Sequence, residues 1–264
     1  MTDTFYFAVI YILTALTGLC VGSFLNVVIY RVPEKMSLSK PASHCPKCGY
    51  KLKWYDNIPV LSYCILGGKC RSCKEHISFR YTAVEVMNAL LWVASVAVFW
   101  KESIPYACLC AAACSVCIVI AFIDIEHMLI FDRFQIILAV LAAAMIPFDT
   151  HIVWYSHLIG MGAGFIVFLA FALAGKKVFG RDALGGGDVK LAAVMGLMLG
   201  WEKLVISVLI ASVLGSAVLL ILRRARSDES TKEYPFGPFL VFGLLISVFL
   251  GNMLLKWYTG LIAG

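Results

Sequence analysis

Charge is scarce in this 264-residue chain: 14% of its residues are Asp, Glu, Lys or Arg, against 61% hydrophobic. A soluble domain carries about 25% charged residues, so a water-solvated globule is excluded and a polytopic membrane protein remains. Several enzyme signatures are missing as well. There is no H-E-x-x-H pair of a zinc peptidase, no Ser/His/Asp arrangement of a serine hydrolase, and no G-x-G-x-x-G fingerprint of a dinucleotide site. No A-x-A-like cleavage site accompanies the first apolar run, Phe5 to Tyr30, which is also too long for a signal-peptide core. It is therefore read as a retained span. Internal repeats and low-complexity segments are absent. The net charge of +6 sits in a few loops rather than on one soluble face, which points to membrane topology and not to nucleic acid as a partner.

What the chain does contain is apolar runs. A membrane-spanning helix needs about 20 such residues, and candidates lie at 5–30, 82–100, 104–123, 133–148, 153–174, 189–200, 204–222 and 237–257. The predicted fold is an all-α polytopic membrane protein of about eight transmembrane helices, although 189–200 is short for a full bilayer. Basic residues set the orientation. Ten of the 22 lie between Arg31 and Arg80; others cluster at Lys176, Lys177, Arg181 and Lys190, and at Arg223, Arg224 and Arg226. With eight crossings these loops share one side with 124–133, and the opposite loops keep only Lys101, Lys203 and Lys256. The positive-inside rule then puts the basic loops in the cytosol and the N-terminus outside. The expected organisation is a first transmembrane helix at 1–30, a cytosolic loop module at 31–81, and a helical membrane domain at 82–264.

The loop module carries Cys45-Pro-Lys-Cys48 and Cys70-Arg-Ser-Cys73, a C-x2-C-x21-C-x2-C pattern. Each pair forms a knuckle presenting two sulfurs along one tetrahedral edge, and two knuckles close a four-cysteine zinc site. A reducing cytosol disfavours disulfides, which stay the alternative together with another metal. With sulfur at all four positions no place is left for an activated water, so the zinc is structural. Lys47, Lys51, Lys69, Arg71 and Lys74 are expected to offset the thiolate charge. The remaining cysteines, Cys20, Cys64, Cys108, Cys110, Cys114 and Cys117, read as small apolar residues.

Two aspartates stand out. Asp124, in "AFIDIEHMLIFD", ends the third span, and Asp188, in "ALGGGDVK", opens the sixth, so the topology carries both to one depth on one side. Neighbouring carboxylates hold a single proton between them, which supplies a base for water and an acid for a leaving amine. Gly185, Gly186 and Gly187 would let an extended substrate backbone pass, and Glu126 would flank it. The same residues admit a helix cap at Asp188, and an ion or proton path through Asp124 and Asp188 as in a transporter. Asp132, beside Arg133, reads as a surface ion pair.

Taken together, "GSFLNVVIYRVP", the cysteine quartet around "NIPVLSY", "ISFRYTAVE", "IDIEHMLIFD", "GGGDVKLAAVMG" and "PFGPFL" resemble the type IV prepilin peptidases, membrane aspartic proteases of the GxGD type. The resemblance implies cleavage of the short basic leader of type IV prepilins or type II secretion pseudopilins after a glycine, at the bacterial inner membrane. It implies Asp124 and Asp188 as the catalytic pair. It also implies N-methylation of the new terminus with S-adenosylmethionine, without naming the residues that bind that donor. One departure is Phe131, where the family often has proline before the second aspartate of this motif.

Overall fold

The computed structural model describes residues 2–179, 184–225 and 234–263. Arg181 and Arg226, counted above among the loop charges, lie outside the described residues. Eight helices follow in chain order: α1 (Thr2–Arg31), α2 (Leu61–Ile65), α3 (Arg80–Phe99), α4 (Ile104–His127), α5 (Asp132–Met145), α6 (Trp154–Phe179), α7 (Gly186–Ala225) and α8 (Gly237–Ala263). Among the described residues there is no strand, only two isolated bridges in the loop module. The fold is all-α, as the apolar runs require. Among the described residues six helices, α1, α3, α4, α6, α7 and α8, are long and apolar enough to cross a membrane. Helix α5, with 14 residues, reaches only about 21 Å at 1.5 Å per residue and is continued by a 3-10 turn at Ile146–Phe148.

The two runs expected at 189–200 and 204–222 are both limbs of α7. They are separated at Gly200, whose φ of 73° and ψ of 167° break the helix. Only glycine enters that region without strain. The limbs run in opposite directions, as their neighbours show. Gly160 of α6 packs on Gly196 and Gly164 on Ala192, which makes α6 antiparallel to the first limb. Gly243 of α8 packs on Ser207 and Gly251 on Lys203, which makes α8 antiparallel to the second. Both α7 and α8 begin at the end of the bundle where α4 stops. The Gly160/Gly164 and Ala192/Gly196 pairs are four residues apart on each helix, the small-residue spacing that brings membrane helices into backbone contact.

Two compact units divide the chain, residues 1–98 and 99–264. In the first, α1 and α3 are antiparallel neighbours in a fixed register: Gly18 lies against Ala89, Gly22 against Glu85, and Asn26 donates its amide to the Tyr81 carbonyl at 2.9 Å. A second buried amide, Asn88 Nδ2 to Gly18 O at 2.7 Å, locks the same register. The second unit holds α4 to α8. There α4 starts on a cap from Ser103 to the Tyr106 amide and stops where Met128 turns left-handed (φ 53°), its N–H returning to the Asp124 carbonyl. That stop leaves Asp124 in the last turn of the helix.

Candidate active site and metal centre

The end of α4 and the starts of α7 and α8 meet around two aspartates of the second unit. Asp124 is 5% exposed and Asp188 is 9% exposed, and their carboxylates lie within electrostatic reach of one another. Ile130, in the turn after α4, packs against both Gly187 and Gly237 and so ties the three helix ends together. At Gly187 a Cβ would sit 2.9 Å from Ile130 Cβ. At Gly237 it would sit 2.5 Å from Asp124 Oδ2, and the Gly237 amide lies beside that carboxylate. The sequence marked "PFGPFL" only through a family resemblance; the fold puts its glycine against Asp124.

Asp188 occupies the third position of α7, with Gly185 at the cap position. The alternative that Asp188 is itself the cap residue is thereby replaced by one in which it stands inside the first turn. Its Oδ2 accepts the Gly185 amide at 3.3 Å, the back-bond of an acid at the third helical position. Gln135 of α5 donates to the Gly187 carbonyl at 3.3 Å and steadies the same turn. One oxygen on each aspartate, Asp124 Oδ2 and Asp188 Oδ1, is buried without a hydrogen-bond partner among the described residues. Buried polar atoms are nearly always partnered, which singles these two carboxylates out.

The other acids of this region lie elsewhere. Glu126 is two residues on from Asp124, about 200° around α4, and exposed. Asp132 does not pair with Arg133; both its oxygens bond Lys190 of α7, at 2.7 and 2.9 Å, while Arg133 lies over the rings of Phe131 and Phe134. Adjacent helical residues diverge by about 100°, so neighbours in sequence do not face each other.

In the first unit the four cysteines converge. Cys45, Cys48, Cys70 and Cys73 offer sulfurs all within 4.8 Å of one another. The Cys45–Cys73 and Cys48–Cys70 separations are 3.9 and 4.0 Å, close to the roughly 3.8 Å edge of a tetrahedron with metal–sulfur bonds of about 2.3 Å. Disulfides, at about 2.05 Å, do not fit these separations, and all four are free thiols. The knuckles repeat one geometry. Cys45 N–H bonds Tyr50 O and Gly49 N–H returns to Cys45 O; Cys70 N–H bonds Glu75 O and Lys74 N–H returns to Cys70 O. Gly49 and Lys74, each just after a second cysteine, both have positive φ.

Sequence reasoning missed what clamps the two knuckles together. Asp56, whose side chain is fully buried, accepts from Tyr50 at 3.1 Å and the Lys53 amide at 3.2 Å on one side, and from Arg71 at 2.6 Å on the other. Burial alone would push its carboxyl up, but the Arg71, Lys53 and Tyr50 bonds outweigh that and hold it below the ordinary range. Arg71 is thus committed to Asp56, and Lys47 lies 3.9 Å from Glu75. These two cations, expected to offset the thiolates, have carboxylate partners instead. The segment between the knuckles, "NIPVLSY", forms a wall against α3, with the Val60 amide donating to Glu85 at 2.8 Å.

Comparison with known proteins follows the division of the fold. Residues 16–99 match the bacterial peptidase A24 N-terminal domain, and residues 111–220 match the type IV leader peptidase family. A prepilin leader peptidase/N-methyltransferase of Myxococcus xanthus is 40% identical over 228 residues, which cover 83% of this chain and 67% of that protein. A protein of the same name from Pseudomonas putida is 33% identical over 264 residues, covering 91% of this chain and 90% of the relative. Another from Pseudomonas aeruginosa is 32% identical over 272 residues, with 93% and 92% covered. No solved structure matches. On these matches the chain belongs to the type IV leader peptidase family, and the relatives it resembles are named prepilin leader peptidase/N-methyltransferases.

Proposed function

We propose that this chain is a membrane-embedded aspartic endopeptidase that removes the leader of type IV prepilins or pseudopilins after a glycine and then N-methylates the new terminus. The observation that carries the peptidase reading is the pair of buried aspartates, far apart in sequence, each with one oxygen lacking a partner. One carboxylate takes a proton from water as the water oxygen bonds to the scissile carbonyl carbon; the other gives its proton to the carbonyl oxygen. The tetrahedral adduct then collapses, the C–N bond breaks, and the leaving nitrogen receives the proton held by the first aspartate. No covalent intermediate forms. Gly185, Gly186 and Gly187 would let the substrate strand pass beside Asp188, with Glu126 flanking it. Proton or ion transport by the same two aspartates is the reading this one displaces.

The four thiolates would hold Zn2+ as a structural centre of the loop module at 31–81. Tetrahedral sulfur coordination with no open position supports that metal and that role. S-adenosylmethionine, when bound, would supply an electrophilic methyl group to the new terminal amine, its sulfonium sulfur departing as the neutral thioether of S-adenosylhomocysteine and the amine losing a proton to water. By the positive-inside rule the basic loops, the cysteine module and the aspartate end face the cytosol and the N-terminus lies outside, in the inner membrane.

The test is cleavage of a prepilin in lipid, with mass spectrometry of the product. Asp124→Asn and Asp188→Asn each abolish cleavage while melting temperature and metal content hold, and the wild-type product gains about 14 Da, the mass of one methylene. Cleavage surviving either substitution removes that aspartate from the chemistry.

A further inference from the structure

A cavity of about 450 Å3 opens within the first unit, between α1, the cysteine module and the start of α3. That volume is in the range that holds small cofactors, roughly 300–1,000 Å3. Its walls are apolar and aromatic for the most part, with Tyr30, Tyr63 and Tyr81 among them. The cysteine module contributes charged groups to those walls, among them Lys47, Arg71 and Glu75, and on the side of α1 and α3 three buried polar groups bear on an occupant. Asn26 is buried; its amide nitrogen bonds the Gly22 and Tyr81 carbonyls, but its Oδ1 has no partner among the described residues. Glu85 is buried and bonded only to neutral donors, the Val60 amide and the Ser23 hydroxyl. Arg31 is buried too, and its guanidinium donates to three backbone carbonyls, of Ser37, Leu38 and Pro41, with no carboxylate against it among the described residues.

Asn26 Oδ1 is the atom left without a donor, while Glu85 and Arg31 are buried groups whose hydrogen bonds go to neutral partners. A buried acceptor without a donor costs about 1–3 kcal/mol, and buried charges are ordinarily paired. The occupant must therefore carry a hydrogen-bond donor for Asn26, a cationic and hydroxyl-bearing end for Glu85, and an anion for Arg31. Ser23, which anchors Glu85, and Arg31 are eight residues apart on α1, about 12 Å along its axis, so the occupant is elongated. The wall itself is strained at Val60, a β-branched residue with φ 60° and ψ −48° whose amide is the one that Glu85 holds. Strain of this kind persists where the surroundings impose a geometry that the site uses.

We propose that this cavity is the binding site for S-adenosylmethionine, held by Glu85, Asn26 and Arg31 between tyrosine walls. The assignment rests on the methyltransferase half of the proposed function and gives it a place, in the first unit. An adenosyl sulfonium with an amino-acid tail has the required properties together: a flat base for tyrosine rings, hydroxyls and positive charge for Glu85, amine donors for Asn26, and a carboxylate for Arg31.

The test measures binding directly, by equilibrium dialysis of labelled S-adenosylmethionine against the full chain in lipid nanodiscs. Glu85→Gln keeps the shape and an acceptor for Val60 while removing the charge. Its affinity is expected to fall tenfold or more, with prepilin cleavage within threefold of wild type and metal content unchanged. A loss of affinity under threefold overturns the proposal. Should Glu85→Gln fail to fold, amide hydrogen exchange of the wild type with S-adenosylhomocysteine decides: protection at 23–31 and 57–62 is expected, and protection confined to 99–264, or none, overturns it. A wild type that cleaves but neither binds the donor nor methylates refutes the methyltransferase reading itself. One that methylates with its protection in the second unit refutes only the location.

Discussion

Gly237→Ala isolates the geometry around Asp124 without touching either aspartate. The added methyl would stand 2.5 Å from Asp124 Oδ2, 3.2 Å from its Cγ and 3.0 Å from Ile130 Cδ1. Ile130 Cδ1 is the free end of a side chain and can swing aside. Asp124 is buried in the last turn of α4 and cannot turn into solvent. Restoring an ordinary contact of about 3.5 Å displaces its carboxylate by about 1 Å. A reacting group misplaced by that distance can cost about 100-fold, equivalent to about 2.7 kcal/mol of transition-state stabilisation. The assay is single-turnover cleavage of a prepilin, with melting temperature as the control on folding. The first-order rate constant is expected to drop about 100-fold. A rate within threefold of wild type, from a protein of unchanged melting temperature, would refute the view that Gly237 sets the position of Asp124.

The three glycines before Asp188 are expected to separate under the same assay. Gly187→Ala, whose methyl meets Ile130 Cβ at 2.9 Å, loses cleavage tenfold or more, while Gly186→Ala, with nothing within 4 Å, keeps its kcat within threefold and shifts only KM. Cys48→Ser removes one of the four converging sulfurs; metal content measured by mass spectrometry falls from one zinc per chain to near zero, and the melting temperature drops with it. Asp56→Asn destabilises the loop module by about 2 kcal/mol, the scale of a charge-assisted hydrogen bond, read as a fall in denaturation midpoint. Because the Asp56 carboxyl is held below its unfolded value, its contribution is fully present above about pH 4 and is lost only as pH falls through the folded value. The difference between wild type and Asp56→Asn therefore stays constant from pH 8 to 5, and a decline within that window would count against the clamp.

What was legible in the sequence is what repeats or is spaced along it. Every expected apolar run corresponds to a helix or a limb of one, because membrane helices must satisfy their backbone within a single segment. The cysteine spacing foretold the knuckles because each one closes over only a few residues, from Cys45 to Tyr50 and from Cys70 to Glu75. Contacts that cross the fold left no such trace. Asp56 and Arg71 are 15 residues apart and Asn26 and Tyr81 are 55 apart, and no periodicity links them. Charge proximity in sequence misled at Asp132, where the adjacent Arg133 points elsewhere and Lys190, 58 residues on, supplies the partner.

Asp188 shows how two readings left open at the level of sequence are both accommodated. As a helix-terminus residue it should spend its carboxylate on backbone amides; as part of a reacting pair it should keep an oxygen for substrate water. The two oxygens differ in the fold: Oδ2 takes the Gly185 amide and fixes the side chain, while Oδ1 is without a partner among the described residues, and the proposed peptidase role would draw on that second oxygen. The bond to Gly185 also explains why a glycine stands three residues before Asp188: a Cβ there would lie 3.2 Å from Asp188 Oδ2, crowding the oxygen that does the anchoring. The backbone at the helix start is thus what orients the carboxylate, and Gly185 serves the position of Asp188 whether or not a substrate strand passes it.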